Sequence, residues 1–406
     1  MEKNIPKLRF PEFEGEWEEK KLGDIAERIG DGLHGTPIYN NDSDIFFING
    51  NNLMNGGINV NEATKKVDYS IFIKNDKRLN ENTLLISING TIGNIARYRN
   101  EKIMLGKSVG YYVFNHDSNF YYHLLVSDKV QNSFMSELTG STIKNLSLKT
   151  LRETIVALPT LPEQTKIANF LTAVDSKLQA LKKKKSLLEQ YKKGVMQKIF
   201  SQELRFKDDD GNDFADWEEK KFREYIKLYR GSSPRPIHRF TTIESNGVNW
   251  IKIGDTKNSE NYLIESVEEK ITFEGAKKSR TVIKGELILA NSMSFGKTYL
   301  LNIEGCIYDG WFVLREFEAF YNRDFLHQLL NSDFIQKQYK TLSTGGVVQN
   351  ISSEIVYSVM LLKPSLSEQT KIANFLSAID EKIVNNKKQI EKMEIWKKGL
   401  LQGMFC

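Results

Sequence analysis

The sequence predicts an α+β protein: two globular mixed α/β halves in a pseudo-twofold arrangement, separated by a pair of long antiparallel coiled-coil helices. Three observations predict it. The chain repeats itself with a period near 205 residues, each repeat ends in a long heptad-patterned segment, and short apolar runs punctuated by Gly and Asn fill the space between.

The repeat is plainest where the halves end. Residues 163–178 read EQTKIANFLTAVDSKL and residues 368–383 read EQTKIANFLSAIDEKI, with nine consecutive identities. At the same offset Lys192-Lys193-Gly194 answers Lys397-Lys398-Gly399, and Thr139-Gly140 answers Thr344-Gly345. The halves also open alike, with Trp17-Glu18-Glu19-Lys20-Lys21 against Trp217-Glu218-Glu219-Lys220-Lys221. Between these markers they diverge: residues 30–37 (GDGLHGTP) face residues 230–236 (RGSSPRP), and Tyr111-Tyr112-Val113 is set against Trp311-Phe312-Val313. A unit this long is far larger than a solenoid repeat, so a pseudo-dimer on one chain is expected instead of a stacked array. The 406 residues suffice for two cores. The expected division is 1–158 and 204–362 for the globular halves, with 159–203 and 363–406 for the helices.

In the first helix Ile167, Leu171, Val174, Leu178, Leu181, Leu188, Val195 and Ile199 follow alternating steps of three and four, interrupted by Lys185 and Lys192. The second helix repeats the seam with Ile372, Leu376, Ile379, Ile383, Ile390, Met393, Leu400 and Met404, interrupted by Asn386 and Lys397. Each helix should run about 38 residues, roughly 57 Å. Prolines at 159, 162 and 364 mark where an extended segment gives way to helix. Mutual pairing fits so long a seam better than packing on one domain, and an antiparallel pair is geometrically natural, with a parallel pair as the alternative. The Lys182–Lys185 run lies in a segment, 163–200, with nine Lys against three acidic residues. It reads as a solvated face or as a contact for phosphates or an acidic partner surface.

The globular halves read as strands with exposed loops, from runs such as 83–88 (TLLISI) and 286–290 (ELILA). The loops gather amide, hydroxyl and basic side chains suited to base edges and phosphates. The candidates for DNA contact are His34, Thr36, Asn51, Asn52, Asn89, Thr91 and Lys107 in the first half. In the second they are Ser232, Arg235, His238, Arg239, Asn291, Ser292, Ser294 and Lys297. Ordinary turn chemistry accounts for any one of them; the clustering in corresponding places carries the recognition reading.

Composition sets outer limits. A hydrophobic fraction of 40% with 11% aromatics belongs to folded protein, and a charge of +5 with a pI near 8.8 permits a polyanionic partner. Cys306 and Cys406 cannot form a zinc site alone, and no apolar run suits a signal peptide or a membrane span, so a cytoplasmic, disulfide-free protein is expected. No phosphate-binding loop, dinucleotide fingerprint, zinc-protease motif or amino-methyltransferase tetrapeptide occurs. Residues 208–213 (DDDGND) misplace the glycine for a calcium loop and read as a solvated turn. His238 near Ser232 and Ser233 lacks an orienting acid nearby in sequence. No catalytic residue is expected.

Taken together, the openings at Arg9-Phe10-Pro11 and Arg205-Phe206, the Thr-Gly loops, the Glu163-Gln164 and Glu368-Gln369 blocks and the helices ending in Lys-Lys-Gly resemble the specificity subunits of type I restriction-modification systems. The resemblance covers essentially the whole chain. It implies a non-catalytic DNA-recognition subunit whose two target recognition domains each read one half of a split sequence. It implies too that the paired helices set the spacer and dock the partners. Those partners would be two modification subunits, which methylate adenine with S-adenosylmethionine, and two restriction subunits, which translocate and cleave with ATP and Mg2+; this chain would bind no cofactor. The loops 139–147 and 344–352 would then face DNA, which adds Ser141, Lys144, Gln349 and Asn350 to the candidates. A coiled-coil scaffold for protein or carbohydrate partners is the competing reading; it predicts binding that ignores DNA sequence.

Overall fold

A strand buried on both faces is apolar along its whole length instead of alternating, and the run at 83–88 forms such a strand. In the computed structural model, which describes residues 4–138, 145–259, 261–292, 296–343 and 351–406, every residue of Thr83–Ser87 is buried. It pairs antiparallel with Val109–Phe114 and with Ile95–Arg97, and Ala26–Asp31 adds beside Val109–Phe114. A smaller sheet sets Ile45–Ile48 between Lys66–Val67, antiparallel, and Ile103–Leu105, parallel. The ELILA run does the same in the second half. Leu287–Ala290 lies in a five-stranded sheet ordered Lys227–Arg230, Trp311–Arg315, Leu287–Ala290, Thr298–Leu301, Leu263–Ile264. Gly305–Ile307 belongs to a second five-stranded sheet.

The chain divides by contacts into two units, Met1–Lys182 with Lys388–Cys406, and Lys183–Lys387. Each long helix is therefore shared between units. The helices run Leu161–Phe200 and Leu366–Met404, 40 and 39 residues. The first starts two residues earlier than its Glu163, and Pro162 is accepted in the first turn because its missing N–H has no helical partner there anyway.

Both heptad seams are buried, and they serve two purposes. In the first unit Ile167, Leu171 and Val174 join a core with Trp17, Phe114, Phe120 and Phe134, which also takes Leu400 and Met404 from the second helix and Phe405 just beyond its end. In the second unit Ile372, Leu376, Ile379 and Ile383 pack with Val195, Ile199, Phe222 and Phe325. Helix-to-helix pairing is seen directly in the first unit, where Leu178 and Leu181 meet Ile390. Asp175 binds Lys397 at 2.6 Å and Lys182 binds Glu394 at 2.6 Å, so numbering rises on one helix as it falls on the other: the pair is antiparallel. The polar interruptions have partners. Lys397 holds Asp175, and in the second unit Lys192 holds Asp380 at 2.7 Å, with the Gln328 amide donating to the same carboxylate at 3.0 Å. Lys185 pairs with Glu189 on its own helix. Asn386 is buried, and neither end of its amide has a partner among the described residues.

The repeated openings are zipped to the strand that precedes each long helix: Glu18–Lys21 pairs antiparallel with Ile155–Leu158, and Glu218–Lys221 with Met360–Lys363. An ion pair closes each junction. Arg9 forks onto Glu163, with both contacts 2.8 Å, and Arg205 onto Glu368 at 2.8 and 3.0 Å. These hydrogen bonds to carboxylate push both guanidinium pKa values up, burial working against them. Gln164 and Gln369 cap the same junctions by donating to the Pro159 and Pro364 carbonyls. The acidic run at 208–213 is a turn in which the Asp208 carboxylate accepts the N–H groups of Asp210 and Asn212. Among the described residues no helix is long and apolar enough to cross a membrane.

Candidate nucleic-acid interface

In the first unit the strand Ala26–Asp31 runs on into a loop laid against the turn after Ile103–Leu105. The Gly32 N–H donates to the Val109 carbonyl (3.0 Å) and the Leu33 N–H to that of Leu105 (2.8 Å). Gly32 is needed at this crossing: a Cβ there would lie 2.3 Å from the carbonyl oxygens of Leu105 and Gly106. Neighbouring loops are tied to the same turn. The Gly50 N–H donates to Ser108 Oγ (2.9 Å), Ser108 Oγ to Asn49 Oδ1 (3.0 Å), and Thr91 Oγ1 to the Gly50 carbonyl (3.1 Å). The Leu146 N–H reaches the Ile88 carbonyl (3.0 Å), and Asn89 bridges Asn145.

The second unit repeats this framework with other side chains. The Gly231 N–H donates to the Trp311 carbonyl (2.9 Å), Ser232 to Ile307 (3.1 Å), and Ile351 to Asn291 (2.8 Å). A Cβ on Gly231 would lie 2.0 Å from the Tyr308 carbonyl oxygen. Asp309, at the tip of the turn, gathers the loop: Ser233 Oγ donates to its carboxylate, Arg235 sits 3.8 Å from it, and Arg230 Nε donates to its carbonyl (3.2 Å). The Ser233 hydrogen bond holds the Asp309 carboxyl below its usual range, with partial burial opposing it.

These hydrogen bonds correct one sequence alignment. Val109, not Tyr111, occupies the place of Trp311, because each is the carbonyl that receives the loop glycine. Two residues is one full pleat repeat, so the shift leaves the pattern of inward and outward side chains unchanged and sequence could not detect it.

The framework brings most of the candidates together. His34, Thr36, Asn51, Thr91 and Lys107 are exposed on the first cluster, with His34 Nε2 2.6 Å from Asp31. Asn89 is half-buried beside them, and Asn52 spends its amide on the loop, accepting from the Asn49 N–H and donating to the Asn59 carbonyl. On the second cluster Arg235, His238 and Arg239 are exposed and Ser232 and Ser292 half-buried. Asn291 is buried and donates to the Asp309 carbonyl (2.9 Å), so it braces the turn. Lys297 is half-buried over the Tyr262 ring at 5.4 Å, and desolvation pushes its pKa down. Ser141, Lys144, Ser294, Gln349 and Asn350 lie outside the described residues.

The same framework twice, dressed differently, is what a duplicated recognition domain requires, and comparison with known proteins identifies which. The type I restriction modification DNA specificity domain model matches residues 14–190 and again 215–394. The chain belongs to that family. It is accordingly a DNA sequence-recognition subunit of a type I restriction-modification system, a non-catalytic role within the family. Similar proteins include the putative type I restriction enzyme MjaX specificity subunit of Methanocaldococcus jannaschii, 26% identical over 425 residues, covering 98% of this chain and 95% of that one. The MjaVIII specificity subunit of the same organism is 26% identical over 295 residues, 69% of this chain and 68% of its own. The fold is shared with the S subunit from M. genitalium (TM-score 0.60, 16% identity, 99% of both chains). It is shared too with a chain from a type I R-M system studied for complex assembly and conformational transition (TM-score 0.59, 15% identity, 95% and 96% covered).

Sequence reading of this specificity subunit missed Asp309, whose carboxylate is met by Ser233 and Arg235, 76 and 74 residues away. It also missed Arg97, which stacks 3.4 Å over the Tyr122 ring and donates to Asn119 Oδ1 (3.0 Å) on the wall of a cavity of about 470 Å³. Burial pushes that guanidinium pKa down. Two histidines stand one residue out of register on the equivalent helices, His123 buried and His327 half-buried, and desolvation pushes their pKa values down to about 2 and about 4. Among the described residues no group of three or more His, Cys, Asp or Glu could hold a metal.

Proposed function

We propose that each unit reads one half of a split DNA target. In this reading segments 1–158 and 204–362 are the reading domains, and segments 159–203 and 363–406 are the helices that set the spacer and dock the partners. The observation that carries it is the repeated loop framework, identical in its backbone hydrogen bonds and unlike in its exposed side chains. Equal scaffolds with unequal side chains place unlike chemistry at equivalent positions, so two unlike half-sites follow. Phosphate contacts from Lys107, Arg239 and their neighbours supply affinity and salt dependence, while amide and guanidinium groups read base edges. His34, Thr36, Asn51, Asn89, Thr91, Ser232, Arg235, His238, Ser292 and Lys297 belong to this surface, with Asn52 and Asn291 as its braces. Ser141, Lys144, Ser294, Gln349 and Asn350, outside the described residues, are the remaining proposed DNA contacts.

Catalysis then belongs to partners in the cytoplasm: two modification subunits carrying S-adenosylmethionine and two restriction subunits using ATP and Mg2+. The specificity chain itself needs no cofactor. Methylome sequencing of a strain with and without the gene tests the reading. Methyladenine should vanish from one bipartite motif on deletion, and an unchanged methylome in an otherwise intact system would refute it.

A further inference from the structure

The turn that receives the loop glycine carries opposite charges in the two units. Equivalence is set by backbone geometry: Gly32 and Gly231 donate to Val109 and Trp311, and would clash with the carbonyls of Gly106 and Tyr308 respectively. The next residue along is Lys107 in the first unit and Asp309 in the second. Lys107 is exposed and makes no ion pair or hydrogen bond among the described residues. Asp309 is 39% exposed and carries Arg235, itself 83% exposed, at 3.8 Å.

A carboxylate on a DNA-binding surface is repelled by phosphates, so it is compatible with close approach only where it meets a hydrogen-bond donor. In the major groove such donors are the exocyclic amines of cytosine and adenine. The arginine beside it fixes the choice. A G·C pair presents two acceptors, guanine N7 and O6, next to one donor, cytosine N4. A guanidinium fork adjoining a carboxylate is the complement of that edge, donors facing the guanine and an acceptor facing the cytosine. An A·T pair offers one acceptor on adenine N7 and then the N6 donor, which leaves half the fork unsatisfied.

We infer that Asp309 and Arg235 together read one G·C pair in the half-site of the second unit, and that Lys107 occupies the corresponding specificity position in the first. The assignment rests on the bipartite reading above. Ser233 gives the carboxylate a fixed orientation, and the Arg230 and Asn291 side chains, both donating to the Asp309 carbonyl, hold the turn that presents it. Asp309 is in this sense both a contact and the positioning residue for Arg235.

The test replaces the chromosomal gene with Asp309→Asn, Arg235→Lys or Lys107→Ala and sequences the methylome with all partner subunits present. Asp309→Asn and Arg235→Lys should each relax the same single G·C position, in the same half of the motif. Discrimination there should fall about tenfold or more, while the other half and the spacer stay fixed. Lys107→Ala should alter only the opposite half. Arg235 is exposed and supports no core contact, so its variant tests the assignment even if Asp309→Asn lowers the amount of folded protein. Full discrimination in Arg235→Lys overturns the inference, as does a uniform loss of methylation at every position or relaxation in both halves. If deleting the gene leaves the methylome intact, the bipartite reading itself has failed, and that outcome is separable from the others.

Discussion

Replacing Arg205 by alanine should be among the most damaging single changes to the second unit. Glu368 is fully buried and accepts two hydrogen bonds from Arg205 and one from Trp217 Nε1 at 2.9 Å. Removing the guanidinium leaves a carboxylate in the interior with only the indole as partner, and breaking a buried pair in this way costs about 3–5 kcal/mol. The duplication supplies an internal control. Arg9 and Glu163 make the same fork in the first unit, with Glu163 1% exposed, but Trp17 Nε1 there has no partner. Arg9→Ala therefore strands Glu163 more completely, and its cost should lie nearer the upper end of the range while Arg205→Ala lies nearer the lower. Urea unfolding followed by tryptophan fluorescence measures both without the screening that guanidinium would bring. The double change Arg205→Met with Glu368→Gln removes the stranded charge and should recover most of the loss. The reasoning fails if Arg205→Ala unfolds within about 0.5 kcal/mol of the parent, the range of ordinary surface changes, or if the double variant is less stable than the single one.

Acid sensitivity should trace to the desolvated histidines. Burial holds His327 neutral with a pKa of about 4, below the ordinary histidine value, so between pH 6.5 and 4 the unfolded chain binds a proton that the folded one does not. Stability is lost as pH falls through that window, by about 3 kcal/mol, and His327→Gln should flatten the acid limb of a stability-against-pH curve measured by urea midpoints. The loop glycines should be intolerant of a single methyl. Gly231→Ala and Gly32→Ala force a Cβ to within 2.0 and 2.3 Å of carbonyl oxygens, whereas a Cβ on Gly254 meets nothing within 4 Å. Thermal unfolding should show losses of about 1–3 kcal/mol for the first two and no steric penalty for Gly254→Ala.

The long helices were legible because a heptad seam is a local, periodic signal: each apolar position named from Ile167 to Ile199 is buried apart from the half-buried Leu188. The interruptions at Lys192 and Lys397 were visible, but their partners were not, since Asp380 and Asp175 come from the opposite helix and look like ordinary surface acids in sequence. One signal was available: both the lysines and the aspartates recur at the repeat offset. Strand content was readable from apolar runs. Strand partners were not, because Glu18 pairs with Leu158 across the whole half and nothing local encodes such a register. Of the proposed recognition surface, the loops stand out in sequence by their polar clustering, while the hydrogen bonds each member makes do not. Asn52 and Asn291 have the chemistry to read bases and spend it bracing turns. Asp309 gives no sign in sequence, because an acid in a polar loop reads as an ordinary solvated group and its partners Ser233 and Arg235 lie far away along the chain.

The interleaving of the chain constrains the order in which a ribosome can complete the two units. The second unit is one continuous stretch, Lys183–Lys387, so all its residues exist before the final segment is synthesised. The first unit begins the chain yet lacks part of its core until Leu400, Met404 and Phe405 arrive to pack with Trp17 and Phe120, and until the Gly403 carbonyl receives the Leu8 N–H. The half made first is thus finished last. During translation its apolar face waits uncovered for the span of an entire domain, the kind of exposure that favours aggregation and chaperone capture. Loss of the last few residues would consequently injure the amino-terminal recognition domain and spare the one beside which they are encoded.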